Sequence, residues 1–419
     1  MNCRARRCAA LLCFLPLTTA HAAEATPDLP LRVTLAQMLR LVAERSPRLA
    51  SERIAIEVAE AERVGAVAYP NPTLSVGRYK PAGGARTVFD SSSQSQTTLD
   101  LPLLIGGQRK ARLDAADQLV EATRAHVGAA SHEASVKAME AFVGLQSAQE
   151  KASVLEAAHD DVQRLVKIVV ERVAAGMASR YEATRAEIEL GTLKARLEDA
   201  RLERASRASE LAAMLGAPGW KPEAMGRLES RGIAFDPGTL TVAARENSAQ
   251  RVAARRDEAA AEAGVRRAQR ERIPVPVLSV GRTWTGEPYG AANFVGLSAE
   301  IPILDRRIGP VLRAEADLRA AQLRRTALEA ELDLELTRAF DTLAARRMTL
   351  AQFDRSIGAK LDALKQMSED YYQLGRGSIL ELIDASRSRV DAALTGLELR
   401  TQLVTEELRL LALSGKLVE

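Results

Sequence analysis

The segment Pro72-Thr-Leu-Ser-Val-Gly-Arg78 recurs two-thirds of the way along the chain as Pro276-Val-Leu-Ser-Val-Gly-Arg282. In both copies Leu and Val alternate with smaller or polar residues, and this period of two predicts a β-strand. A second alternating stretch follows each copy, so two β-hairpins are predicted at about residues 72–102 and 275–302. Their strands, of roughly 8–10 residues, are near the length that crosses a membrane.

Further matches between the two halves of the chain follow in the same order. Leu101-Pro-Leu-Leu104 matches Ile301-Pro-Ile-Leu304, and Gly176-Met-Ala-Ser179 matches Gly375-Arg-Gly-Ser378. The common order and the nearly constant spacing indicate a tandem duplication.

A long stretch predicted to be helical follows each hairpin. No proline occurs from Leu103 to Ala175 or from Val311 to Leu374, and apolar residues recur every seven positions in both stretches. Sustained heptads are typical of coiled-coil packing. Each stretch ends at a glycine-containing turn, after which a return helix is predicted. The heptad positions of the second stretch are Leu336, Leu343, Leu350, Ile357, Leu364 and Tyr371.

The first 22 residues have the composition of an export signal. Three arginines precede an apolar stretch, and Ala20-His21-Ala22 fits the cleavage site of a secretory signal peptide. All three cysteines lie in this segment, so the mature chain has no disulfide, thiolate metal site or cysteine nucleophile. The 58 basic residues exceed the 55 acidic ones only because of those three arginines, so the charge does not indicate nucleic-acid binding.

The predicted organisation is a signal peptide followed by two repeats and a linker between them. The first repeat covers residues 23–216, with its helical hairpin at 103–216, and the second covers 239–419, with its helical hairpin at 303–414. The interval 217–238, rich in proline and glycine, links the repeats.

Two hairpins supply four strands, which are too few to close a barrel. Because open sheet edges are not tolerated in lipid, strands that cross a membrane must be shared among several chains, and three chains would supply twelve. The predicted fold class is therefore mainly α-helical with a transmembrane β-barrel. The alternative is a soluble coiled-coil protein with two small hairpins packed against it.

The order of hairpin, arm, turn and arm, with the segment Tyr372-Gln-Leu-Gly-Arg-Gly-Ser-Ile-Leu-Glu-Leu-Ile-Asp384, resembles the TolC-type outer-membrane efflux family. The resemblance covers almost all of the mature chain. It implies a homotrimer in the outer membrane, with a twelve-stranded barrel and a periplasmic α-barrel, that exports substrates without chemistry of its own. It also implies contact with outer-membrane lipid, a periplasmic adaptor protein and an inner-membrane pump of the resistance-nodulation-division type.

Two segments resemble the heavy-metal branch of that family, the cobalt–zinc–cadmium resistance channels. Ile105-Gly-Gly-Gln-Arg109 is similar to a Gly-Gly-Lys-Arg stretch of the branch, and Ile301-Pro-Ile-Leu-Asp-Arg306 is similar to its Pro-Leu-Phe-Asp-Arg stretch. Arg307-Ile308 departs from the Asn-Gln that follows there. The expected cargo is heavy-metal cations, with drugs or proteins exported by type I secretion as the alternative.

The resemblance also implies two sets of functional residues. The periplasmic gate is expected at Glu381, Asp384, Glu182 and Tyr372. The adaptor is expected to contact the arm tips, formed by Gly176, Met177, Ala178, Ser179, Gly375, Arg376, Gly377 and Ser378. Without the resemblance, Glu381 and Asp384 are explained by favourable negative charge at a helix N-terminus.

The sequence lacks the motifs of the common enzyme classes. It has no Gly-x-Ser-x-Gly, phosphate loop or dinucleotide-binding glycine pattern. His132-Glu133 begins like a metalloprotease helix, but residue 136 is Val, and the three mature histidines are interpreted as solvated helix-face residues. No enzymatic activity, cofactor, metal site or nucleic-acid partner is expected. A periplasmic adaptor or structural coiled coil remains the alternative class of function.

Overall fold

The computed structural model describes residues 29–80, 93–230, 232, 236–287, 289–358, 360–361, 363–364, 366–367, 370 and 378–415. The predicted signal peptide, the gate residue Tyr372 and the tip residues Gly375, Arg376 and Gly377 lie outside these residues.

The two repeats build the same order of short helix, longer helix, hairpin and long helices. The first contains β1 (Arg32–Val33), α1 (Leu35–Arg45), α2 (Pro47–Val67), β2 (Thr73–Tyr79), β3 (Gln94–Pro102), α3 (Gln108–Ala174) and α4 (Arg180–Met214). The linker contributes β4 (Glu223–Ala224). The second contains α5 (Pro237–Asn247), α6 (Ala249–Glu271), β5 (Val277–Thr285), β6 (Gly290–Ser298), α7 (Ile308–Phe353), a π-helical turn (Asp354–Gly358) and α8 (Ile379–Leu413).

The four long strands form one antiparallel sheet in the order β2-β3-β5-β6. Its central pair joins the two repeats, with Leu99 of β3 opposite Val280 of β5. Within the described residues, β2 and β6 each have one edge without a strand partner. The sheet is therefore open at both sides.

Helix α3 is the central element of the helical part. Its 67 residues extend for about 100 Å at about 1.5 Å per residue. It packs between α2 and α6 near the sheet and against α4 and α8 farther away, whereas α7 packs against α6 and α8. None of the described helices combines the length and the apolar content needed to cross a membrane.

The largest apolar core lies where α1, α3, α4 and α8 meet the linker. Met38, Leu145 and Leu211 are fully buried there. Beside this core β1 pairs in parallel with β4, and the Trp220 indole nitrogen donates to the Pro30 carbonyl oxygen at 3.1 Å. These contacts fix the segment before α1 to the linker between the repeats.

The long helices begin later than the sequence predicts. Helix is expected from residues 103 and 303, but α3 begins at Gln108 and α7 at Ile308. The residues just before them, Gly107 and Arg307, have φ of 75° and 51°, a left-handed conformation that interrupts a helix. The second hairpin also ends earlier than residue 302, because β6 stops at Ser298, opposite the first residue of β5.

The heptad pattern is confirmed in the first arm and fails partway along the second. Leu155 is 1% exposed and Leu343 3% exposed, but Ile357 is 38% exposed. Ile357 lies in the turn Asp354–Gly358, which is π-helical, and the extra residue in such a turn shifts the heptad register there. The heptad spacing predicted along the second arm is therefore broken at this turn.

Candidate functional site

One face of the sheet is apolar and exposed in the part of the sheet that lies nearest the helices. The pairing register places its side chains in two adjacent rows, Leu74, Leu99, Val280 and Val295 in one and Leu101, Leu278 and Leu297 in the other. Val295 is 74% exposed and Leu297 70% exposed. A contiguous apolar surface of this kind indicates a face covered by lipid or by another protein.

The opposite face of the same sheet is polar. Ser279 Oγ donates to Asp100 Oδ1 at 2.5 Å, and Gln96 Nε2 donates to Thr98 Oγ1 at 3.2 Å. Phe294 is an exception on this face, where its ring covers the backbone at Gly281. The alternation of apolar and polar residues predicted from the sequence is confirmed, and it gives the sheet one apolar and one hydrated side.

The segment Ile105–Arg109 has a structural role at the junction of sheet and arms. Gln108, which is buried, donates through Nε2 to the Ile273 carbonyl oxygen at 3.0 Å. Arg109 donates through Nε to the Val67 carbonyl oxygen at 2.8 Å, and its guanidinium lies 4.8 Å from the centre of the Tyr69 ring. Helix α3 is thereby joined at its start to the ends of both α2 and α6.

Glu271 completes this junction with two arginines. Its Oε1 accepts from Arg267 Nε at 3.0 Å and from Arg112 Nε at 3.1 Å. Burial raises the pKa of Glu271, but the hydrogen bonds and charges of Arg267 and Arg112 outweigh burial, so its pKa lies below the ordinary value. A carboxylate with a lowered pKa stabilises the fold at neutral pH and loses that effect as the pH falls through the lowered pKa.

We expect Glu271→Gln to lower the free energy of unfolding at pH 7 by roughly 1–2 kcal/mol. The difference from the wild type should shrink as the pH falls through the lowered pKa of Glu271, because the wild-type carboxyl then becomes protonated as well. Thermal unfolding of detergent-solubilised protein at pH 7 and pH 3.5 measures both effects. Glu262→Gln, which alters an exposed pair with Arg266 at 3.8 Å, is the control and should change little. Equal losses of unfolding free energy in Glu271→Gln and Glu262→Gln would contradict a stabilising role for Glu271 at this junction.

A buried carboxylate, Glu407, lies where the linker meets the second arm. Glu407 is 2% exposed, and its Oε1 accepts from Ser230 Oγ at 2.6 Å and from Arg347 Nη2 at 2.8 Å. These contacts join the linker to α7 and α8. Sequence reasoning missed this group, since its members are 60 and 177 residues apart along the chain.

The turn at the first arm tip is exposed and depends on glycine. Gly176 has φ of 74°, and a Cβ at this position would meet no other atom within 4 Å. The Met177 amide donates to the Arg172 carbonyl oxygen at 2.8 Å, which closes the end of α3. Met177 itself is 65% exposed.

Two of the predicted gate residues cap the helices that follow the turns. Ser179 and Glu182 form a capping box, in which the Ser179 amide donates to Glu182 Oε2 at 2.8 Å. Ser378 and Glu381 form the same box at the start of α8, with 3.0 Å between the Ser378 amide and Glu381 Oε2. The pattern Ser-x-x-Glu in each repeat is the sequence signal for these caps.

The start of α8 packs against the first arm tip. Its buried face, with Ile379, Leu382 and Ile383, contacts Val169 of α3 and Ala186 of α4. Glu381 and Asp384 are exposed on another face of the same helix. The structure therefore brings Glu381 and Asp384 to the same end of the arms as Glu182.

Farther along α8, after the apolar contact at its start, ion pairs join this helix to the first arm. Arg389 Nη2 lies 2.7 Å from Asp161 Oδ2, and Arg196 Nη2 lies 2.9 Å from Asp391 Oδ1. No sequence pattern identifies these pairs, because the partners belong to different repeats.

The three mature histidines are not all solvated, contrary to the interpretation from sequence. His126 is exposed and pairs with Asp257 at 2.8 Å. The side chain of His159 is only 19% exposed, and burial lowers the pKa of His132, which lines a groove between α3 and the second repeat. Across the part of the chain that the structure describes, no three His, Asp or Glu side chains are placed to hold a metal ion.

Comparison with known proteins relates part of the chain to an efflux protein family and most of the chain to a metal-resistance protein. Residues 38–217 match the family described as outer membrane efflux protein. The chain is 24% identical over 367 residues to the cobalt-zinc-cadmium resistance protein CzcC of Cupriavidus metallidurans, which covers 86% of this chain and 84% of that protein.

Solved structures of outer-membrane channels share the fold. The outer-membrane channel OprN is similar with a TM-score of 0.75 and 20% identity, over 91% of this chain and 89% of that one. The Campylobacter jejuni CmeC outer membrane channel is similar with a TM-score of 0.77 and 14% identity, over 91% and 86% of the two chains. With its duplicated hairpins and long paired helices, the chain has the fold of these outer-membrane channels, and residues 38–217 match the outer membrane efflux protein family.

Proposed function

We propose that this protein is the outer-membrane channel of a three-part efflux system and that its cargo is heavy-metal cations. The observation that carries the channel proposal is a four-stranded sheet with one apolar and one polar face, open at both edges, at the end of long helices. The cargo proposal rests on the similarity to a relative named for cobalt-zinc-cadmium resistance. Drugs and secreted proteins are the alternative cargo.

The open sheet and the helices support assembly as a homotrimer. Three chains would pair β6 of one with β2 of the next, which closes twelve strands and leaves no edge in lipid. Within one chain α3 packs between α2 and α6, whereas α7, its counterpart in the second repeat, has no comparable packing against α2 within the described residues. The duplication therefore leaves α7 free to pack on α2 of a neighbouring chain.

Exposed apolar residues support the same contact between neighbouring chains. Leu312, Leu323 and Leu334 of α7 are 57%, 72% and 51% exposed. Their spacing of eleven residues keeps them on one face of a helix. Ile54 and Val58 of α2, spaced by four residues, are 56% and 54% exposed. We expect these two rows to pack together in the trimer.

The gate is proposed at the arm tips, formed by Glu381 and Asp384 with Glu182 and Tyr372. Three copies of the two exposed acids around a narrow opening would repel one another and attract cations. Because Glu381 also caps α8, replacing it by alanine would remove the cap together with the charge. Glutamine keeps the capping box, so an isosteric variant separates the two roles.

We expect the double variant Glu381→Gln, Asp384→Asn to reduce cation selectivity several-fold and to weaken block by multivalent cations. The physical reason is the loss of negative charge at the opening while the cap is kept. Reversal potentials in planar bilayers under a salt gradient measure the selectivity. Glu182→Gln keeps the matching cap of the first repeat and should instead raise conductance, if Glu182 holds the closed state. An unchanged reversal potential in the double variant would contradict the gate assignment.

The arm tips are proposed as the contact for the periplasmic adaptor, which works with an inner-membrane pump of the resistance-nodulation-division type. Gly176→Leu and Gly176→Ala strain the turn in the same way, because both place a side chain at φ of 74°. Only leucine adds bulk at the tip, so only Gly176→Leu should block docking.

The experiment for the whole proposal is metal accumulation in cells that carry this protein together with a pump and an adaptor. Wild-type channel and Gly176→Ala should lower intracellular zinc, cobalt or cadmium, and Gly176→Leu should not, although its trimers reach the membrane. Unchanged metal with lowered drug accumulation would favour the drug alternative. Soluble periplasmic protein without trimers would contradict the channel proposal.

A further inference from the structure

Two arginines lie on the apolar face of the sheet, near the hairpin ends of their strands. Arg78 and Arg282 are each the last residue of the repeated heptapeptide. Because side chains alternate between the faces of a strand, Arg282 shares its face with Leu278 and Val280, and Arg78 shares its face with Leu74 and Val76. Both arginines are exposed.

The side chain of Arg282 is directed toward the hairpin end of the sheet. Its guanidinium carbon lies 5.1 Å from the centre of the Trp284 ring, and Trp284 is two residues nearer to the hairpin loop. A long cationic side chain that leaves an apolar surface in this way brings its charge toward the polar boundary of a membrane. Stacking on the indole also leaves the N–H groups at the guanidinium edge free to donate.

Across the described strands, the apolar face of the sheet has no acidic residue that could pair with Arg78 or Arg282. The outward positions of the four described strands contain no Asp or Glu, and within the described residues neither Arg78 nor Arg282 forms an ion pair. Closing the barrel would not supply one, because the outward residues of β6, next to β2 of a neighbour, are Ala291, Asn293, Val295 and Leu297. Near the hairpin ends an arginine on the lipid-facing surface costs little, because its charge reaches the polar boundary, and a phosphate at that boundary would supply the missing partner.

The two cations fit the phosphate groups of one lipid headgroup. Arg78 and Arg282 belong to adjacent rows of the register and to strands separated only by β3. Strand spacings of about 4.8 Å and a rise of about 3.4 Å per residue place their Cα atoms roughly 12 Å apart. Each guanidinium can bind a phosphate with two parallel hydrogen bonds.

We propose that Arg78, Arg282 and Trp284 form a binding surface for the phosphates of a phosphorylated glycolipid in the outer leaflet of the membrane. The inference rests on the proposed function, in which the strands cross the membrane with the hairpin loops on the side opposite the helical arms. Arginine supplies the hydrogen bonds, the indole holds one guanidinium, and the apolar rows beside them contact the acyl chains.

The test is native mass spectrometry of purified trimers with bisphosphorylated lipid A and with the same lipid after removal of its phosphates. Wild-type trimers should retain the phosphorylated lipid about tenfold better than the dephosphorylated one. Arg78→Gln, Arg282→Gln should lose that preference, and Arg78→Lys, Arg282→Lys should keep part of it. Arg313→Gln, Arg324→Gln removes two exposed cations from α7 and should leave the preference unchanged.

Three results would overturn the inference. The first is equal retention of the two lipids by the wild type. The second is a loss of preference in the α7 control as large as the loss in Arg78→Gln, Arg282→Gln. Displacement of the lipid by millimolar inorganic phosphate is the third, since it would indicate a free-anion site. Absence of wild-type trimers from the outer membrane would instead contradict the proposed function, and this inference with it.

Discussion

Val280→Lys is expected to reduce the amount of outer-membrane trimer severely, and Leu278→Lys is expected to act in the same direction. Val280 lies in the middle of an apolar row, between Leu99 of β3 and Val295 of β6, and is 47% exposed in the single chain. A lysine on the lipid face near the membrane midplane costs about 2–4 kcal/mol. In the proposed trimer three chains share the barrel, so the cost recurs three times in each assembly.

The matched control places the same residue at the same depth on the other face. Ser279→Lys would direct its ammonium toward Asp100, the carboxylate that Ser279 now contacts at 2.5 Å, so insertion should be close to normal. Membrane fractionation and sizing in mild detergent measure the yield of trimer. Normal trimers from Val280→Lys, or equal losses from Val280→Lys and Ser279→Lys, would show that the face of Leu278 and Val280 is not the lipid face.

Leu323→Glu is expected to prevent trimer formation while the single chain still folds. Leu323 is the most exposed of the three leucines along α7, at 72%, so its replacement removes no internal packing. In the proposed contact with α2 of a neighbour, the lost burial costs about 2 kcal/mol at each of three interfaces. Burying the unpaired carboxylate adds to that cost.

Gln322→Glu is the control, because it adds the same charge one residue away, about 100° around the helix. Sizing in mild detergent and chemical crosslinking should give trimers for Gln322→Glu and monomers for Leu323→Glu. Circular dichroism checks that both variants keep their helices. Stable trimers of Leu323→Glu would contradict the packing of α7 against a neighbouring α2.

The capping boxes show how one sequence pattern supports two interpretations. Ser378 and Glu381 meet the requirements of a capping box, and the structure contains it. A role at the gate also requires three copies of Glu381 to come close together. Neither the sequence pattern nor the structure of a single chain shows that arrangement. Glu381 is therefore explained locally as a cap, and its gate role stays a prediction for bilayer measurements.

The second arm shows where periodicity stops being informative. Leu336 and Leu343 follow the heptad and are buried, whereas Ile357 follows the same heptad and is 38% exposed. The reason is the π-helical turn Asp354–Gly358, beside which Phe353 packs against α8 at Gly396. A spacing rule assumes a constant number of residues per turn, so it fails where contacts with another helix change that number.

The sequence by itself determined the duplication, the hairpins and the glycine turn that ends α3. These features depend on neighbouring residues, because alternation, prolines and glycines act on the local backbone. Only the tertiary structure decided that β3 pairs with β5, that α3 packs between α2 and α6, and that Glu407 joins the linker to α7 and α8. Such contacts join residues far apart in the chain, and their energies depend on burial and geometry that arise only when the repeats pack together.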